Sequence, residues 1–158
     1  MKPIFGEYDC RLDAKGRFLL PSGLKKQLPE GEQNEFVINR GIDKCLVIYP
    51  ISVWEKELKK IYSRNQFMAK NRAFARKYIN GATRLELDGS SRVLIPKRLA
   101  EHAAIAQDIV LVAANDRIEV WDKATYEAWL GDDKHDMEKL SEEVMGSLGD
   151  EQGDGGVS

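Results

Sequence analysis

Two short segments place an aspartate four residues before an arginine, beside small residues that favour turns. Asp13 precedes Arg17 in the first segment, DAKGR. Asp88 precedes Arg92 in the second segment, DGSSR. The planar guanidinium of arginine can bridge O6 and N7 of guanine, and a lysine such as Lys15 can neutralise a phosphate. These residue types indicate nucleic-acid recognition, with each aspartate able to orient its arginine.

A catalytic interpretation of the paired carboxylates is less favourable. Asp13 and Asp88 resemble an aspartic-protease dyad only in being duplicated, because such a dyad shares a proton between two acids. A cation beside an acid lowers the carboxyl pKa instead. The sequence also shows no phosphate-binding loop, dinucleotide fingerprint or Ser-His-Asp signature. We therefore expect no catalytic residue and no small-molecule substrate.

The turns raise a conformational question. Glycine tolerates a positive φ, so Gly16 and Gly89 are expected to let the two turns form. Ser91 stands at the position that Gly16 occupies in the first segment. If Gly16 has a positive φ, Ser91 must adopt the same angle at a cost of about 1 kcal/mol or reshape the turn. Each arginine could also have the purely structural role of pairing with its aspartate.

Both segments belong to a longer unit that occurs twice. The first halves align at an offset of 75 residues and the second halves at 72, over residues 8–58 and 83–130. Each copy shows the pattern strand, turn, short strand ending in proline, short helix, two strands and a helix. The predicted organisation comprises a first unit, a helical connector, a second unit and an acidic tail, at 1–58, 59–82, 83–130 and 131–158.

One unit has too few strands to enclose a core. We therefore predict an α+β fold in which two pseudo-symmetric units contribute hairpins to one shared β-barrel, with helices at the periphery. Residues 64–80 favour a second connector helix, and Gly81 is a suitable stop. The tail could form one weak helix and is expected to be disordered after Gly149. Its apolar positions are Met137, Leu140, Val144 and Leu148.

Charge is unevenly distributed along the chain. The formal net charge of −2 combines +5 over residues 1–130 with −7 over residues 131–158. Residues 51–80 hold eight Lys or Arg against two Glu, which is more typical of a solvated helix face than of a binding site. No apolar stretch approaches the ~18 residues of a membrane span, and the N-terminus does not look like a signal peptide. We expect a cytoplasmic protein.

The metal-ligating residue types are scattered. Cys10 and Cys45 are unclustered, and His102 and His135 lie far from both in sequence. This pattern is typical of two small buried residues and two surface histidines rather than a disulfide framework or a zinc site. We expect no metal and no cofactor.

The repeated segments resemble known DNA-binding proteins. LDAKGRFLLPSGLKKQL looks like the swapped-hairpin unit of the AbrB/SpoVT type. The duplicated arrangement resembles the MraZ family through CLVIYP, FARKYINGATRLELDGSSRVLIP and IEVWDKATYEAWL. The order of these motifs over residues 1–130 makes the resemblance specific.

The resemblance implies a transcriptional regulator that assembles into rings. It would bind short G-rich direct repeats in double-stranded promoter DNA, usually repressing the division and cell-wall gene cluster that includes its own operon. The DXXXR motif carries over to both aspartate–arginine pairs. The second copy departs from it, because Gly89, Ser90 and Ser91 stand before its arginine without a lysine. Its DNA contact should therefore be the weaker one.

Arg11 and Arg84 lie on the strands that lead into the turns, so both could flank the DNA-binding surface.

A second class of function is an antitoxin-like module whose acidic tail binds a partner protein. Duplication within one chain favours a regulator, because antitoxins with this hairpin usually carry one unit and dimerise.

Overall fold

Eight strands and six α-helices occur along residues 1–146, which are the residues that the computed structural model describes. The strands are β1 Ile4–Arg11, β2 Arg17–Leu19, β3 Glu35–Arg40, β4 Leu46–Pro50, β5 Thr83–Glu86, β6 Arg92–Leu94, β7 Asp108–Asn115 and β8 Arg117–Asp122. The helices are α1 Ser22–Lys25, α2 Ile51–Tyr62, α3 Ala69–Ile79, α4 Lys97–His102, α5 Lys123–Leu130 and α6 Met137–Ser141. The α+β class is confirmed.

Strands from the two repeats pair with one another. Six strands form an antiparallel sheet in the order β1-β7-β8-β4-β3-β5, and β2 pairs with β6 in a separate two-stranded ribbon. The pairings β1–β7, β4–β8, β3–β5 and β2–β6 each join a strand of the first repeat to one of the second. The strands of the two repeats therefore belong to one folded body rather than to two separate domains.

Alternating side chains explain why the central strands are apolar on both faces. Phe36 and Ile38 of β3 enter one hydrophobic cluster, whereas Val37 between them enters another. Successive residues of a strand point to opposite faces, so a strand buried on both sides needs an unbroken apolar run. The larger cluster also contains Phe18 and Val93. It thus includes residues of both the six-stranded sheet and the ribbon.

The smaller cluster lies where α2 packs on the sheet. Trp54 of α2 is buried there with Tyr49 of β4, their ring centroids 5.1 Å apart. Tyr78 of α3 stacks on Trp54 at 6.3 Å, and its hydroxyl lies 3.1 Å from that of Tyr49. The connector helix therefore exists, beginning at Ala69, and Gly81 follows its end with φ +92° as expected.

The chain divides into two compact units, residues 1–123 and a second that begins at Ala124. In the second unit Trp129 stacks on His135 with centroids 4.0 Å apart, and Asp136 caps α6 by accepting the Lys139 N–H. The predicted tail helix is found only in part, since α6 ends at Ser141 and a short π-helical turn follows. Leu148 and the expected disorder after Gly149 fall outside the described residues.

Candidate nucleic-acid interface

The first turn is organised by the carboxylate of Asp13. Its Oδ1 accepts the backbone N–H groups of Lys15 at 2.9 Å and Arg17 at 3.0 Å. Its Oδ2 accepts Nε–H of Arg17 at 2.8 Å. Above all the Arg17 backbone N–H, and then the Lys15 N–H and the Arg17 side chain, hold the pKa of Asp13 below its usual 3.8.

The second turn repeats this arrangement. Oδ1 of Asp88 accepts the N–H groups of Ser90 at 2.8 Å and Arg92 at 2.9 Å, and Oδ2 accepts Nε–H of Arg92 at 3.0 Å. The backbone N–H of Arg92 is the main reason that the pKa of Asp88 is also lowered from 3.8. Both aspartates thus orient their arginines as expected, and the structural pairing of each arginine is real.

The two turns share a backbone conformation. The N–H of Gly16 bonds to the carbonyl of Asp13 at 3.0 Å, and the N–H of Ser91 bonds to that of Asp88 at 3.0 Å. Gly16 has φ +82° and Ser91 has φ +61°. The first alternative for Ser91, a positive φ, is confirmed. Gly89 lies in the turn as expected, but its φ is not positive, because the left-handed position of this turn is the third residue after Asp88 and Gly89 is the first.

The pairing of β2 with β6 brings the two turns side by side. In the β2–β6 ribbon Arg17 lies opposite Leu94, and Arg92 lies opposite Leu19. Each arginine then reaches the aspartate of the other turn: Nη1 of Arg17 is 3.8 Å from Oδ2 of Asp88, and Nη1 of Arg92 is 3.8 Å from Oδ2 of Asp13. We call these four residues, Asp13, Arg17, Asp88 and Arg92, the four-charge cluster.

The four-charge cluster can present oriented donors but little net charge. Its two positive and two negative groups cancel formally, so it attracts phosphate weakly by itself. Each Nε is bound by the adjacent carboxylate, which leaves the terminal guanidinium nitrogens to meet an incoming acceptor. The side chains of Arg17 and Arg92 remain 24% and 36% exposed. Such an arginine loses less rotamer freedom on binding than a free one.

Extra positive charge lies beside the first turn. A groove of about 440 Å³ is lined by Asp13, Lys15, Gly16, Lys97 and Gln107, among others. Lys15 comes from the turn itself, whereas Lys97 comes from α4 of the second repeat. From the sequence, Lys97 is more typical of a solvated helix face than of a phosphate contact, because its nearness to Lys15 depends on the pairing of strands from the two repeats and leaves no local signal.

The two flanking arginines are both paired on the surface. Nη2 of Arg11 donates to Oε1 of Gln107 at 3.1 Å, and its side chain is 70% exposed. Nη1 of Arg84 donates to Oε1 of Glu35 at 2.7 Å. Neither arginine forms a hydrogen bond or ion pair with the four-charge cluster in residues 1–146. Their contact with DNA stays a prediction.

The described residues offer little for a metal. Within residues 1–146 no group of three or more His, Cys, Asp or Glu could hold a metal ion. Burial raises the pKa of Cys10 to about 11 and that of Cys45 to about 12, so both thiols stay protonated at neutral pH. None of the described helices is both long and apolar enough to span a bilayer.

Comparison with known proteins finds the same duplication. The sequence profile of a family described as "MraZ protein, putative antitoxin-like" matches twice, over residues 4–77 and 78–146. The chain belongs to the MraZ family. The double match confirms the internal repeat, while the unit boundaries at 58, 82 and 130 stay a prediction.

Full-length relatives carry a functional name. A Flavobacterium psychrophilum protein named "Transcriptional regulator MraZ" is 42% identical, covering 96% of this chain and 98% of its own length. A Christiangramia forsetii protein of the same name is 43% identical over 91% of this chain and 94% of its own. The Cytophaga hutchinsonii protein is 38% identical over 89% and 93%, respectively. The resemblance to the MraZ family is thus confirmed.

Proposed function

We propose that this protein is a sequence-specific DNA-binding transcriptional regulator that reads base edges with its paired turns. The four-charge cluster carries the proposal, because it fixes two arginine forks side by side at the surface. The name of the relatives, a transcriptional regulator, supports the same function. A transcriptional regulator is not an enzyme class, so this name supports a non-catalytic role.

In the proposed complex the ribbon β2–β6 approaches a groove of the duplex. The terminal N–H groups of Arg17 and Arg92 donate hydrogen bonds to O6 and N7 of guanines. Asp13 and Asp88 hold the two guanidinium groups in the orientation that this contact needs. A bidentate arginine–guanine contact contributes about 1–3 kcal/mol of discrimination against a wrong base. Guanine preference by two adjacent forks suits a short G-rich site.

The two turns are unequal in the proposed complex. Lys15 neutralises a phosphate beside the first turn, but Ser90 occupies the matching position of the second turn. Because phosphate contacts supply much of the affinity for DNA, the first turn binds more strongly. Arg11 and Arg84, on the leading strands, add weaker contacts at the edges.

We infer the biological role from the family. The protein binds direct repeats in the promoter of the division and cell-wall gene cluster, its own operon included, and represses it. It works in the cytoplasm at the nucleoid. The basic body, with a net charge of +5 over residues 1–130, supports binding to DNA.

Assembly into a ring, on the family pattern, completes the proposal. Each subunit would form a swapped-hairpin barrel in which the ribbon and the six-stranded sheet enclose the larger cluster. Exposed apolar side chains support contacts between subunits: Ile42 is 98% exposed, Phe67 96% and Phe74 53%. A ring places several turns along tandem sites, and linked contacts raise the overall affinity without new chemistry.

The test is equilibrium binding of the purified protein to a labelled duplex from upstream of its own coding sequence, across a salt series. A scrambled duplex of equal length and composition is the control. We expect tighter binding to the upstream duplex at every salt concentration. Equal affinity for the two duplexes would contradict sequence-specific recognition.

An antitoxin-like role is the second candidate. The family description contains the word antitoxin, and residues 131–158 carry a net charge of −7 that could meet a basic partner. Affinity purification from the native cells would distinguish the two functions. A small protein retained in equal amount, and lost when the tail is removed, would favour the antitoxin role.

A further inference from the structure

Arg40, the last residue of β3, has a buried guanidinium nitrogen without a partner. Its Nε is shielded from solvent and forms no hydrogen bond within residues 1–146. No carboxylate of the described residues lies within ion-pair distance of its side chain. An unsatisfied buried donor costs free energy, so this guanidinium can still gain from an acceptor that approaches it.

Two cavities meet at Arg40. One, of about 250 Å³, is also lined by Gly81, Lys97 and Arg98. The other, of about 430 Å³, is also lined by Lys77. Neither lining contains an aspartate or a glutamate. The charged side chains that line these two cavities are therefore all cationic, unlike those of the balanced four-charge cluster.

Gly81 packs closely beside the guanidinium of Arg40. A Cβ atom at this position would lie 3.4 Å from Nε of Arg40 and 3.0 Å from a methyl group of Leu99. The φ of +92° is a second reason for glycine here. Glycine thus lets the backbone pack against Arg40, while the arginine side chain still lines the two cavities.

Lys97 connects this region to the first turn. It lines both the cavity at Arg40 and the groove that contains Lys15. Lys15, Lys97, Arg98 and Arg40 therefore follow one another along adjoining depressions of the surface. We call these four residues the cationic track.

We propose that the cationic track binds successive DNA backbone phosphates flanking the base pairs that the first turn reads. This inference rests on the proposed function and gives it a direction. By the internal repeat, Lys97 and Arg98 correspond to Ser22 and Gly23. The pseudo-symmetric position beside the second turn thus lacks both cations, and the duplex is held more firmly on one side of the ribbon.

The test measures how the affinity of the full chain depends on salt, with the upstream and scrambled duplexes as probes. We expect Lys97→Gln and Arg98→Gln each to lower the slope of log K against log salt by about 0.9 per engaged subunit. In each variant, the affinity for the upstream duplex and the affinity for the scrambled duplex should fall by the same factor. Lys56→Gln, an exposed lysine on α2, is the matched control and should keep the wild-type slope.

Arg40→Gln should lower the slope in the same way, provided that circular dichroism shows a native fold. Wild-type slopes for Lys97→Gln and Arg98→Gln would overturn the cationic track, whatever Arg40→Gln does. If Lys15→Ala still lowers the slope in that case, the proposed function survives. A wild-type protein that binds neither duplex would overturn both proposals together.

Discussion

Asp13 and Asp88 each accept three hydrogen bonds within their own turn, so the ionised carboxylate stabilises the conformation of that turn. The same contacts hold each guanidinium in place. Structural and recognition roles therefore coincide in the four-charge cluster. Experiments on single residues must separate lost folding from lost contact with DNA.

The first prediction concerns acid stability. The pKa values of Asp13 and Asp88 are lowered in the folded state, so their pairing stabilises the fold above the ordinary carboxyl pKa of 3.8. This stabilisation is lost as the pH falls below 3.8 and the folded carboxylates take up protons. We expect urea midpoints to fall less steeply with acidification in the Asp13→Asn and Asp88→Asn double variant. An unchanged pH profile would contradict this linkage.

The second prediction concerns Lys15. Replacing it by alanine should weaken binding to upstream and scrambled duplexes equally, because a lysine–phosphate contact carries no sequence information. The salt slope should fall by about one per engaged turn. Lys44→Ala, which removes an exposed lysine from the turn between β3 and β4, is a suitable control. Loss of specificity in Lys15→Ala would indicate a base contact instead.

At the scale of elements, the third prediction uses the strained turn before β6. Ser91 has φ +61°, a conformation that costs an L-residue about 1 kcal/mol more than glycine. Ser91→Gly should therefore raise the free energy of unfolding by up to about 1 kcal/mol, as measured by urea denaturation. Ser90→Gly is the matched control in the same turn, and it should be neutral or destabilising, since Ser90 has no positive φ.

Most elements could be predicted from the sequence. Alternating apolar residues identified the strands, helical spacing identified α2, and Gly81 marked the end of α3. These are local signals, so each requires only neighbouring residues. The positive φ expected at Gly89 is found at Ser91 instead, and the cause is local too. The hydrogen bonds of Asp88 place the left-handed residue three positions after Asp88, whatever residue stands there.

The partners of the strands could not be predicted in the same way. A period of two tells which face a residue occupies but not which strand lies beside it. The contact of Arg17 with Asp88 therefore escaped the sequence analysis, as did the position of Lys97 beside Lys15. Arg40 gave no signal at all, because an arginine at the end of a strand is ordinary until its surroundings are known.

On the scale of the whole molecule, the exchange of strands makes each repeat depend on the other. The fourth prediction is that a truncated chain of residues 1–58 does not form a folded monomer. Its β1, β2, β3 and β4 would lose every partner strand except the β3–β4 pairing. We expect poorly dispersed NMR signals, or a dimer in which a second copy supplies the missing strands. A folded monomer by sedimentation and NMR would contradict the shared core.

The central claim is that Arg17 reads DNA from the four-charge cluster. The most direct measurement compares binding of Arg17→Ala and wild-type protein to the upstream and scrambled duplexes, after circular dichroism and sedimentation have shown unchanged folding and assembly. We expect the preference for the upstream duplex to fall by about 1–3 kcal/mol per engaged turn, with a smaller loss in Arg92→Ala. Arg76→Ala, on the basic α3, should bind like wild type. A folded, assembled Arg17→Ala protein with wild-type affinity for the upstream duplex would contradict the account and favour the helices of residues 51–80.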